Sequence, residues 1–140
     1  MQNPAILYPI FALAAWTAQV LLLIPFYRVR DGRRLEIITD DFKFCESASV
    51  PSYVSIPNRN YMNLLEIPVL FYVVCLLLYV TAGGSKLAVI FAWAYVALRV
   101  LHSLIHLRYN KVIHRLAAFA LSNFVLIALW VLAAMHVAID

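Results

Sequence analysis

The sequence predicts an all-α membrane protein, a four-transmembrane-helix up-down bundle, and three observations carry that prediction. Of 140 residues, 65% are hydrophobic and only 13% are charged, whereas soluble domains run nearer half apolar and a quarter charged. Four apolar runs, at about 6–27, 63–82, 87–107 and 116–139, match the roughly 20 helical residues that cross a hydrocarbon core. Every connection except 28–62 is short, so consecutive helices should run antiparallel. Residues 1–140 are therefore expected to form one transmembrane domain.

No basic residue precedes the first run, which is longer than a signal-peptide core and ends in Arg28, Arg30, Arg33 and Arg34. It reads as a retained span rather than a cleaved signal. Pro9 and Pro25 lie near its ends. Gln19, in its middle, is expected to hydrogen-bond to a neighbouring helix. Asp31 and Gly32 then mark a turn, followed by a mixed-charge stretch at 36–46 and an extended or irregular segment at 47–58 containing Pro51 and Pro57. Phe42, Phe44 and Tyr53 suit the membrane interface.

The second helix is expected to start near Arg59 or Asn60 and to kink at Pro68, because proline removes one backbone bond. Gly83 and Gly84 mark the tight turn before the third helix. The 108–115 stretch turns into the fourth, which is apolar apart from Ser122, Asn123 and His136. Cys45 falls in the long connection and Cys75 in the second helix, so two reduced thiols are expected rather than a disulfide.

Lys and Arg counts set the orientation. The first connection carries Arg28, Arg30, Arg33, Arg34, Lys43 and Arg59, and the third carries Arg108, Lys111 and Arg115. The second has Lys86 alone. The positive-inside rule places the first and third connections in the cytoplasm. Most of the net charge of +4 is thus topological, and nucleic-acid binding is not its expected meaning.

Polar groups at membrane depth are expensive and mark function by default. Arg59, Asn63 and Glu66 share one face of the second helix; Arg99, His102, Ser103 and His106 fall at i, i+3, i+4 and i+7 on the third. Each row spans roughly 10 Å at about 1.5 Å per residue, in the cytoplasmic half of the bundle. Glu66 is the expected counter-charge of Arg99. Arg59, Asn63, His102, Ser103, His106 and Arg115 then exceed what one ion pair needs. That surplus suits a small anionic or zwitterionic ligand entering from the cytoplasm. His102 and His106 have metal-ligand spacing, but no cysteine or second carboxylate accompanies them, and no metal is assigned.

Two stretches carry a resemblance over most of the chain. Arg59-Asn60-Tyr61-Met62-Asn63-Leu64-Leu65-Glu66-Ile67-Pro68 is similar to the helix 2 signature of the MAPEG family, the membrane-associated proteins of eicosanoid and glutathione metabolism, with the proline slightly displaced. Arg99-Val100-Leu101-His102-Ser103 is similar to that family's helix 3 motif. The resemblance implies a homotrimer with glutathione as co-substrate, bound between protomers near the cytoplasmic face. It implies that Arg59, Asn63, Glu66 and Arg99 hold the peptide's charged groups; the polar row itself, not the resemblance, adds His102, Ser103 and His106 as expected binding residues. Arg115 matches the arginine that supports the glutathione thiolate at the start of helix 4. The second substrate is then a lipophilic electrophile or hydroperoxide from the bilayer. A guanidinium beside a thiol stabilises the thiolate and raises the reactive fraction.

The chain departs from the family pattern at His106, where many members carry tyrosine, and at Met62 and Leu116. One eukaryotic branch binds lipid without catalysis, so a lipid- or glutathione-binding scaffold is the alternative. A small multidrug-type transporter ranks below both. The long connection looks like that of bacterial members, which makes the bacterial inner membrane the expected location.

Overall fold

A short 3-10 helix, η1 at Pro4–Ile6, opens the computed structural model, which describes residues 2–35 and 52–139. Asn3 caps it by accepting the Ala5 N–H at 3.1 Å. α1 follows at Tyr8–Leu35 and runs straight through Asp31 and Gly32, where a turn was the expectation. A glycine costs a helix only about 1 kcal/mol. The mixed-charge stretch at 36–46, Cys45, Phe42 and Phe44 lie outside the described residues, as does the side chain of Tyr53.

α2 spans Ser52–Leu65, so the segment up to residue 58 is helical from Ser52 rather than extended. Pro57, Asn60 and Leu64 recur at helical spacing on its buried face, and Pro57 costs one backbone bond near the helix start. α3 spans Pro68–Val80. The interruption between α2 and α3 sits at Glu66 and Ile67, as Pro68 predicts. Ile67 keeps helical angles, φ −67° and ψ −35°, and the Leu70 N–H reaches the Ile67 carbonyl at 3.0 Å. One apolar span, Ser55–Val80, therefore persists across the break.

Ala82, not a glycine, takes the left-handed conformation in the next turn, at φ 59°. The two glycines serve close approach instead. A Cβ on Gly83 would strike the His136 ring, and one on Gly84 would lie 3.2 Å from the Asn3 Cβ. α4, Lys86–Arg108, is capped by Ser85, whose hydroxyl accepts the Ala88 N–H at 3.2 Å. α5 spans Val112–Ile139, beginning four residues before the expected start and bringing Arg115 into its first turn.

Among the described residues, four helical segments are long and apolar enough to cross a membrane: Pro4–Arg30, Ser55–Val80, Lys86–Arg108 and Val112–Ile139. Lipid supplies no hydrophobic drive between helices, so small residues and polar junctions must hold them. α4 buries Ala88 and Ala92, and α5 buries Ala118, Ser122 and Ala133. These small side chains let α4 and α5 pack closely along their length. At one end Asn3 Nδ2 donates to the Gly84 carbonyl at 2.7 Å, and His136 Nε2 lies 2.8 Å from the Thr81 carbonyl. At the other end Tyr27, Ile56 and Arg108 come together, so the basic connections share one side. Gln19 is exposed, away from the other helices of its own chain. Thr17, two residues earlier, turns inward and bonds the Leu13 carbonyl of α1 at 2.9 Å. Cys75 is a buried free thiol.

Candidate functional site

The α4 face that packs inward carries Arg99, His102, Ser103 and His106, all buried. Helical spacing alone accounts for this, since the apolar residues Ala88, Ala92, Tyr95 and Val96 continue the same face. α2 divides its polar residues differently. Asn60 is buried, Asn63 is half-buried, and Arg59 and Glu66 are exposed. At 3.6 residues per turn, Glu66 lies roughly 200° round the helix from buried Leu64. It points away from the bundle interior.

Glu66 is therefore not the counter-charge of Arg99 within the chain, contrary to expectation. Arg99 is 0% exposed. Its Nε donates to the Tyr95 hydroxyl at 3.0 Å and its Nη2 to Asn123 Oδ1 at 3.1 Å. The guanidinium carbon also sits 5.3 Å from the Tyr95 ring centre and 5.0 Å from that of Phe119. Two neutral oxygens and two aromatic faces thus hold a buried cation. Among the described residues Nη1 has no hydrogen-bond partner.

Ser103 is equally enclosed. Trp16 Nε1 donates to its oxygen at 3.0 Å and Asn60 Nδ2 at 2.6 Å. Both acceptor positions of the hydroxyl are then filled, and α1, α2 and α4 meet on one atom.

An open cleft of about 210 Å³ lies beside this junction, lined by Asn63, His102, Val112, Arg115, Leu116 and Phe119. It brings three expected site residues together from three helices: Asn63 of α2, His102 of α4 and Arg115 of α5. The His102 ring packs against Phe119 at 5.8 Å between centres and edge-on to His106 at 6.2 Å. Asn63 Nδ2 donates back to the Arg59 carbonyl at 2.9 Å. Its amide oxygen remains available to the cleft.

Arg115 is half-buried in the first turn of α5, a turn without an acidic residue. A cation there works against the helix dipole. Together with the free N–H groups of the helix start it makes a strongly anion-seeking corner. Its Nη1 donates to Asn110 Oδ1 at 2.8 Å and approaches His106 Nε2 at 3.4 Å. Arginine only donates, so the second contact needs the His106 proton on Nδ1. That atom is buried without a partner among the described residues.

Arg59, Glu66, Arg99, Ser103 and His106 are thus not lining residues of the cleft. Arg59 and Glu66 face outward, and the other three lie behind its wall. Sequence alone does not single out Asn60, Tyr95, Asn110, Phe119 and Asn123 as site residues. Asn60 and Asn123 had a usable signal, being amides within apolar spans. Asn110 had none beyond a turn-favouring residue type.

The MAPEG family matches the chain over residues 6–135. No curated protein and no solved structure gives a significant match. By that match and its four apolar helical spans, the chain belongs to the MAPEG family and is an integral, multi-pass membrane protein of the glutathione- and eicosanoid-related class.

Proposed function

We propose that the protein binds glutathione in the cleft between α2, α4 and α5 and uses it as a transferase or peroxidase. Its second substrate is a lipophilic electrophile or hydroperoxide that arrives from the bilayer. The observation that carries this reading is Arg115. It lines the cleft, stands where the helix start is already positive, and engages protein groups through Nη1 alone among the described residues. A thiolate beside it gains charge stabilisation. Asn63 and His102 supply neutral polar contacts to the peptide. Arg99, Ser103 and His106 hold the wall from behind.

The cleft of about 210 Å³ is smaller than the roughly 300–1,000 Å³ of ordinary ligand sites. A homotrimer in which a neighbouring copy faces Arg59 and Glu66 supplies the remainder. These two outward residues then contact the charged ends of glutathione from the subunit boundary. The cleft opens on the side of the basic connections, the cytoplasmic side by the positive-inside rule. A bacterial inner membrane suits this orientation.

Saturable binding of glutathione and S-alkyl analogues to detergent-purified protein is expected. Asn63→Ala should weaken it about tenfold, or about 1.4 kcal/mol. Turnover on a broad panel of electrophiles and hydroperoxides should vanish in Arg115→Ala. Wild-type protein without saturable binding and without turnover overturns the proposal. The second reading, a lipid- or glutathione-binding scaffold, draws on His106, which occupies one Arg115 donor at 3.4 Å. Binding that persists in Arg115→Ala, with turnover in neither protein, would favour it.

A further inference from the structure

We infer that Asn110 is a positioning residue that aims the Arg115 guanidinium into the cleft, an inference that rests on the glutathione reading above. Asn110 lies in the three-residue connection between α4 and α5. Its backbone is left-handed, at φ 47°, a conformation in which asparagine is among the best-tolerated residues after glycine. Its own N–H returns to the Ile105 carbonyl at 2.8 Å, so the last turn of α4 anchors it. That anchor determines where its side-chain oxygen can stand. The oxygen accepts Arg115 Nη1 at 2.8 Å, the shorter of that nitrogen's two contacts.

The consequence is geometric. A guanidinium is a flat, rigid fork, so fixing one terminal nitrogen restricts the direction of the others. With Nη1 taken by Asn110 and His106, Nη2 and Nε donate to no protein group among the described residues. They are left to serve a ligand. An untethered arginine on a long flexible stem would spread its charge over many directions and lose side-chain entropy on binding. Asn110 thus joins the end of one helix to the functional group of the next. Only a residue tolerating positive φ and bearing an acceptor three bonds from Cα meets both demands. Aspartate and asparagine are the two that do.

The test separates aiming from folding. Asn110→Gly preserves the left-handed backbone and deletes the acceptor. For each protein, ultraviolet absorbance of bound glutathione against pH gives the midpoint of thiolate formation. Binding of S-methylglutathione, which has no ionisable thiol, gives a control for the rest of the site. Asn110→Gly should raise the midpoint by about one pH unit, tenfold in thiolate fraction. Its affinity for S-methylglutathione and its melting temperature should match wild type. In the Arg115→Ala background Asn110→Gly should add nothing.

A wild-type midpoint in Asn110→Gly, alongside a raised one in Arg115→Ala, overturns the inference and leaves the glutathione reading intact. Parallel loss of S-methylglutathione binding and melting temperature overturns it too, by reducing Asn110 to a structural cap. If wild type binds no glutathione, the underlying reading fails and the inference falls with it.

Discussion

Asn60 Nδ2 donates to Ser103 Oγ at 2.6 Å, on the atom that also receives Trp16 Nε1 at 3.0 Å. One small hydroxyl therefore fastens three helices in a region where apolar contact alone gives little preference for one arrangement. Removing it strands two donors in a dry interior. Ser103→Ala should lower stability in detergent by about 1–3 kcal/mol, the usual cost of unsatisfied buried groups. Affinity for S-alkyl glutathione analogues, measured per folded molecule, should change less than about twofold, below 0.5 kcal/mol. A large affinity loss at unchanged stability would instead make Ser103 a ligand contact.

Phe119 stands between the buried cation and the cleft. Its ring is 5.0 Å from the Arg99 guanidinium carbon, and it also lines the open space beside Asn63 and Arg115. Phe119→Ala should cost about 0.5–2 kcal/mol through the lost cation–π contact, plus the cost of the cavity. It should also shift preference toward analogues with bulkier S-substituents. Titration with a graded S-alkyl series measures this; an unchanged order of affinities would show that Phe119 does not shape the site.

Pro68 is expected to trade stability for function. Pro68→Ala restores a backbone donor to the span and removes the break at Glu66 and Ile67. Melting temperature should stay level or rise, while glutathione affinity falls several-fold because Asn63 and Glu66 shift relative to Arg115. Parallel melting and binding measurements test the pairing. Unchanged affinity would mean that the break is incidental to the site.

Gly83 is held by contact rather than by backbone angle. Gly83→Ala drives a methyl group into the His136 ring and disturbs its 2.8 Å contact with the Thr81 carbonyl. A loss of about 1–3 kcal/mol is expected from overpacking. His136→Ala should relieve part of it in the double variant, which thermal melting of the four proteins of the cycle would reveal. Strict additivity would contradict the contact.

Much of the fold is legible in the chain because hydrocarbon imposes a narrow grammar. Apolar runs must be helices, their length is set by the bilayer, and Pro68 and the paired glycines punctuate them. The boundaries were less legible. α1 continues through Gly32, α2 starts at Ser52 and α5 at Val112, since polar residues extend a helix beyond the membrane without any hydropathy signal. The helical phase of α4 correctly grouped Arg99 with His102, Ser103 and His106. Phase could not identify their partners. Sign and depth match Glu66 to Arg99, yet the azimuth of α2 turns Glu66 outward, and two neutral oxygens take its place.

The polar groups at membrane depth thus owe their arrangement to two sources. Sequence by itself determined the spans, the sidedness of the basic connections and the chemical types present at membrane depth, because these depend on composition and on a period of 3.6. Tertiary structure decided which of those groups face a ligand and which face each other. That choice rests on helix rotation and on single contacts such as Asn110 with Arg115 at 2.8 Å. Rotation is governed by packing among residues far apart in the chain, and no local pattern encodes it.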